Sequence, residues 1–365
     1  MRERVERRWV LKAGAAGAVA SVPAFGMLSG CLSPGPPPSD PELLAMTSSE
    51  MLGAMRTGRA TAERCVTVAL DRAERLRNLN AFIALDRLVP IERARDVDAK
   101  RAAGREMPPL AGLPIVVKDN IDYAGLPTTG GTAALRDVRP RASAPALQRL
   151  IDAGAIVIGK TNLHELAFGI TSTNLTPFAG PVKNPYDPTR IPGGSSGGTA
   201  VAIAARVVAS GLGTDTGGST RIPAALCGIV GLRPSVGNGG DDRRYDPRGV
   251  VPISHTRDTI GPMGRSVADV ALLDAVVTNS PATEPAVLSQ LRIGIPASFW
   301  NGLEPQVADV CAQARAKLAA AGVVFVDVDT VGLAALNEKV SFPVALHEPI
   351  ADIPAYLAAN GVTAI

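Results

Sequence analysis

Gly211-Leu212-Gly213-Thr214-Asp215-Thr216-Gly217-Gly218-Ser219-Thr220-Arg221-Ile222-Pro223 follows shortly after a second glycine-rich run, Pro192-Gly193-Gly194-Ser195-Ser196-Gly197-Gly198-Thr199. Paired glycines accept positive φ and carry no Cβ, so neighbouring backbone N–H groups can converge on one point. Such a nest binds an anion or an oxyanion.

Four readings fit a glycine- and serine-rich loop. A phosphate-binding loop needs a lysine directly after its last glycine, and Thr199 and Ser219 stand there instead. An aspartic protease needs two carboxylates sharing a proton, and Asp215-Thr216-Gly217 has no second copy. An α/β-hydrolase elbow matches Gly193-Gly194-Ser195-Ser196-Gly197, with His255 or His347 as base. That elbow must follow a buried strand, however, and Pro185, Pro188 and Pro192 precede it. The fourth reading is a serine–lysine hydrolase, whose lysine must be neutral when it acts. Lys118 closes the apolar run Leu113-Pro114-Ile115-Val116-Val117. A lysine at the end of a buried strand is desolvated, which lowers its pKa. The ordinary alternative is a surface Lys118 paired with Asp119.

The surrounding pattern is α/β. Residues 42–106 read as helices over one side of a larger body, with Leu43, Leu44, Met51, Leu52 and Met55 at helical spacing. The strands 113–117 and 155–159 flank a helix over 144–153 that ends at Gly154, a parallel βαβ unit. Ala200–Ser210 reads as one buried helix, and Val267–Val277 as another. Ile293–Ile295 and Val323–Val328 read as late strands around a helix from Pro305 to Ala321. The whole predicts helices on both faces of one sheet.

The 365 residues are 46% apolar and 19% charged, which excludes disorder and supports a sizeable core. Arg2, Arg4, Arg7, Arg8 and Lys12 face Glu3 and Glu6 within the first thirty residues, so removing that segment brings the net charge of +3 to zero. Nothing in the remaining charge calls for nucleic acid.

Arg7-Arg8-Trp9-Val10-Leu11-Lys12 before a short Ala/Gly-rich run resembles a twin-arginine export signal, placed at 1–30. Leu28-Ser29-Gly30-Cys31 resembles a lipoprotein box with Cys31 as the lipidated residue. A proline-rich tether over 31–41 follows, extended rather than helical. These features predict an exported, cell-envelope protein that meets a membrane through that anchor. Cys65, Cys227 and Cys311 form no disulfide pattern, and Cys227 reads as a small buried hydrophobe. No motif calls for a metal or an organic cofactor, and the oligomeric state, homo-oligomer included, stays open.

The chain from about Leu43 onward resembles the amidase signature family. The resemblance rests on Gly112–Asn120, Asn162–Gly169, Gly193–Gly198, Gly211–Pro223, Gly231–Ser235 and Asp258–Met263. It implies the amidase signature fold over 42–365, a mixed β-sheet core covered by helices on both faces and incomplete at its C-terminus, since members usually continue further. Thr199 and Ser235 are mild departures from residues common in the family.

The resemblance also implies catalytic residues. Ser219 would be the nucleophile, Ser195 on a cis peptide the proton relay, and Lys118 the base. The backbone N–H groups of Thr216, Gly217, Gly218 and Ser219 would form the oxyanion hole, with Asp215 and Arg221 orienting the loop. It further implies hydrolysis of a small-molecule amide to the acid and ammonia. Val251–Asp258 is similar to indoleacetamide and mandelamide hydrolases, which points to an aryl-acetamide. The alternatives are a relative of the glutamyl-tRNA amidotransferase A subunit and a non-catalytic, lipid-anchored binding protein.

Overall fold

The computed structural model of the chain describes residues 36–237, 242–281 and 285–362. The segment expected to be an export signal, Cys31 and the first part of the expected tether lie outside the described residues. Helix α1 (Asp40–Ala45) already contains Pro41 in its first turn, with Ser39 as N-cap. The tether expected to reach Pro41 therefore stops at Ser39. Proline is tolerated there because the first turn has no use for its missing N–H.

Helices α2 (Ser48–Arg56), α3 (Ala62–Arg75) and α4 (Leu88–Ala102) occupy the segment read as helical. Strand β1 (Phe82–Leu85) interrupts it and pairs antiparallel with β3 (Ile156–Thr161). Four residues are too few to show a period, which is why the sequence pattern concealed this edge strand.

Strand β2 (Pro114–Lys118), helix α5 (Pro145–Asp152) and β3 form the expected parallel βαβ unit. The sheet continues through α6 (Gly197–Ala204), β4 (Ser210–Asp215), α7 (Arg221–Leu226), β5 (Val230–Gly231), β6 (Thr259–Gly264) and α8 (Val267–Thr278). Its order is β1-β3-β2-β4-β6-β5, with β2 parallel to β3 and β4, and β6 antiparallel to β4 and β5. Every residue of β2, β3, β4 and β6 is buried, so both faces of this mixed sheet are covered.

The single helix expected over Ala200–Ser210 is two elements. Helix α6 stops at Ala204, and Arg206, in the left-handed region at φ 59°, turns the chain into β4. The late strands β7 (Arg292–Pro296) and β8 (Val324–Val328) flank α9 (Pro305–Ala320) and pair in parallel. They form their own two-stranded sheet and do not extend the main one. Helices α10 (Leu333–His347) and α11 (Pro349–Ala359) follow; Pro343 and Pro354 inside them had masked their helical character.

Cys65 and Cys227 are buried and all three described cysteines are unbridged. Burial pushes the Cys227 thiol up to about 12, so it packs as a hydrophobe. Among the described residues no helix is long and apolar enough to cross a membrane.

Candidate active site

Lys118 is the last residue of β2, and Thr214 lies near the end of its parallel neighbour β4. Ser195 sits in the turn that leads into α6. The Lys118 Nζ donates to Ser195 Oγ and to Thr214 Oγ1, both at 2.7 Å. Asn120 Nδ2 donates to the same Thr214 oxygen at 3.1 Å. Lys118 has no exposed surface. Burial lowers its pKa to about 7, and the charges of Asp215 and Asp258 offset this only in part.

The alternative pairing of Lys118 with Asp119 does not form. Side chains alternate along a strand, so the two neighbours point to opposite sides. The Asp119 carboxylate instead meets the fully buried Lys160 at 3.0 Å and accepts a hydrogen bond from Thr129.

The peptide bond between Gly194 and Ser195 is cis. Ser196 N donates to Ser219 O at 3.2 Å, and Ser196 Oγ donates to Thr214 O at 3.2 Å, which joins the two glycine-rich loops. Glycine is required for this approach. A Cβ on Gly213 would meet Ser196 Oγ at 2.7 Å and Met263 Sδ at 2.8 Å. Ser219 is 6% exposed and lines a cavity of about 530 Å³. Among the described residues its hydroxyl has no hydrogen-bond partner, and it is not bonded to Ser195. Such contacts commonly tighten only when substrate is bound.

Asp215 organises the second loop. Its fully buried carboxylate accepts from Gly218 N at 2.7 Å, Thr220 N at 3.1 Å and Thr220 Oγ1 at 2.9 Å. Arg221 grips both oxygens at 3.1 Å, and Arg233 Nη1 adds a contact at 3.1 Å. Burial works to raise this pKa, but the Arg221 hydrogen bonds and charge, the Thr220 N–H and the Arg233 charge outweigh it and hold it at about 2.

This arrangement corrects one expectation. Gly218 N–H points back to Asp215 and is not available to an oxyanion. The N–H groups of Thr216, Gly217 and Ser219 have no acceptor among the described residues. Gly218 itself lies in the left-handed region, at φ 136°.

The cavity is lined by the apolar Ala167, Phe168, Ile170, Ile253, Phe342 and Ala345 and by the cationic Arg221, Arg233 and Arg257. His164 secures the loop that carries Phe168 and Ile170. Its backbone N–H donates to Ser195 O at 3.0 Å, and its Nδ1 accepts from Ser172 N at 3.2 Å. Burial lowers the pKa of this ring.

Helix α10 closes the other side. Arg257 Nη1 donates to the backbone and side-chain oxygens of Ser341. His255 Nδ1 lies 3.0 Å from Asp352, and Glu348 accepts from Ser254 and Thr256. His255, Glu348 and Asp352 are also the described group with metal-ligand chemistry, their ligand atoms lying within 4.8 Å of one another. Neither His255 nor His347 lines the cavity, and among the described residues neither ring, weighed as a base, bonds to Ser195 or Ser219.

Thr214, Arg233, Arg257 and Asp258 were not identified as site residues from sequence. All four stood inside quoted motifs. Thr214 could have been found from strand register, because it sits beside the end of β2, where Lys118 projects.

The family model described as Amidase matches residues 64–360. The chain is 40% identical to the mandelamide hydrolase of Pseudomonas putida, over 87% of this chain and 62% of that protein. It is 41% identical to the indoleacetamide hydrolase of Allorhizobium ampelinum, over 86% of this chain and 66% of that protein. It thus spans less than two thirds of the length of these curated relatives. The native peptide amidase of Stenotrophomonas maltophilia superposes with a TM-score of 0.75 at 32% identity, over 87% of this chain and 69% of that one.

Proposed function

This chain belongs to the amidase family, and from that premise we propose that it hydrolyses a carboxylic amide to the acid and ammonia. The observation that carries this is the Lys118–Ser195 contact of 2.7 Å beside the unpartnered Ser219 hydroxyl. Ser219 attacks the carbonyl carbon and passes its proton to Ser195 Oγ, whose own proton goes to the neutral Lys118 Nζ. The tetrahedral oxyanion is held by the N–H groups of Thr216, Gly217 and Ser219, the kind of contact that contributes several kcal/mol to the transition state. The proton returns through Ser195 to the leaving nitrogen, and ammonia departs. Water then attacks the acyl carbon and gives a proton to the same relay, which returns it to Ser219 Oγ as the acid leaves. Asp215 and Arg221 hold the loop that carries these N–H groups.

The substrate class is an aryl-acetamide. Support comes from the apolar lining residues Phe168, Ile170 and Phe342, and from relatives named for mandelamide and indoleacetamide. The amidotransferase alternative is disfavoured because these relatives are named as hydrolases of small amides. The test is ammonia release from a panel of aryl and aliphatic amides, with Ser219→Ala as control. Release that persists in that variant, or is absent from the parent, overturns the proposal. The export signal and lipidation at Cys31 also stand as proposals. Mass spectrometry of the mature N-terminus tests them, and an unmodified cysteine or an uncleaved leader would refute lipidation.

A further inference from the structure

Three arginines line the cavity, but they differ in their partners. Arg221 and Arg233 both contact the Asp215 carboxylate. Arg257 meets no carboxylate among the described residues; it donates to the two neutral oxygens of Ser341. Its sequence neighbour Asp258 makes no ion pair with it among the described residues; that carboxylate accepts from Ile253 N at 2.8 Å, Ser254 N at 2.9 Å and the Thr216 hydroxyl. A Cβ built on Gly217 would lie 3.9 Å from Arg257 Nη2, so the guanidinium ends beside the loop whose N–H groups are unpartnered. N–H groups without an acceptor among the described residues, next to a half-buried guanidinium fork, match the charge and planarity of a carboxylate.

We propose that Arg257 and the N–H groups of Thr216, Gly217 and Ser219 form a carboxylate seat, through which the cavity retains the acid product and is inhibited by it. This rests on the amidase reading for the identity of the acid, not for the seat itself. A neutral amide leaves the Arg257 charge uncompensated, whereas its acid compensates it. One carboxylate oxygen occupies the place of the oxyanion and the other faces Nη2.

The test uses equilibrium titration of the Ser219→Ala protein, which needs no turnover. The probes are phenylacetate and the neutral 2-phenylethanol, which share the ring. Phenylacetate is expected to bind at least about tenfold more tightly, as hydrogen bonds to charged groups do. Adding Arg257→Met should bring that ratio close to one, and Arg257→Lys, which keeps the charge but loses the fork, should give an intermediate ratio. Added salt should weaken phenylacetate alone. A ratio unchanged in either variant overturns the proposal. So does equal loss of both ligands in a folded variant, since Arg257 would then act only as a prop for α10. Failure of the parent chain to hydrolyse any amide, with Arg257-dependent phenylacetate binding intact, would refute the amidase proposal and uphold the seat.

Discussion

The Lys118 Nζ lies 2.7 Å from Ser195 Oγ with no exposed surface and, among the described residues, no carboxylate in contact. Burial therefore sets the charge of this amine, with a pKa of about 7. On the amidase reading, kcat/KM should rise with pH along an acid limb centred near 7 and fall about tenfold per unit below it. Lys118→Arg, charged at every working pH, should be inactive throughout. A profile flat between pH 5 and 8 would contradict the role of Lys118 as base.

The same shift has a stability consequence. Between pH 7 and 10.5 the unfolded lysine holds a proton that the folded one does not, so stability rises with pH across this window. Below pH 7 the burial cost is fully present, on the order of a few kcal/mol. Lys118→Met should remove this dependence and unfold at a higher denaturant concentration at pH 7. Urea titrations of both proteins at pH 7 and 10 measure the difference.

The two serines should separate kinetically. Ser219→Ala removes the attacking atom and should abolish acyl-enzyme formation. Ser195→Ala leaves Ser219 in place and interrupts proton transfer, a loss of about 10²–10⁴-fold in kcat. A fluorophosphonate probe should label the Ser195→Ala protein slowly and the Ser219→Ala protein not at all. Equal labelling of both would displace Ser219 as nucleophile.

Asp215→Ala strips Arg221, Arg233 and the N–H groups of Gly218 and Thr220 of their shared acceptor. Breaking a buried pair by removing one partner costs about 3–5 kcal/mol. Because the folded pKa is about 2 against 3.8 for the free group, on the order of 2 kcal/mol of this contribution is present above pH 3.8 and is lost as pH falls through 2. Denaturant midpoints of parent and variant should differ at pH 7 and converge towards pH 2.

What the sequence revealed depended on whether a local pattern or a distant partner decides the structure. The strand ending at Lys118 and its parallel partner were legible because their apolar runs are bounded by turn residues. The serines and Asp215 were legible through the motif, not through periodicity. Gly218 was misjudged because the direction of one N–H depends on a side chain three residues away. Arg233 and Arg257 were missed because a lone arginine looks the same whether it grips a buried carboxylate or lines a cavity. Strand β1 and helices α10 and α11 gave no readable signal, the first for its length and the others for their internal prolines.

Phe342 tests the substrate class. It projects from α10, lines the cavity and is 69% exposed, so its ring is available to an incoming aromatic group. An aromatic contact contributes about 0.5–1.5 kcal/mol beyond area burial. It is made to the ring and not to the reacting carbonyl, so it is made equally before and during attack. Phe342→Ala should therefore raise KM for an aryl-acetamide roughly threefold to tenfold and leave kcat nearly unchanged. For a short aliphatic amide, which has no ring to stack, neither constant should move. Steady-state kinetics on both amides decide the point. A KM increase of the same size for both would mean that α10 shapes the cavity as a whole, and the case for aryl selection at Phe342 would fail.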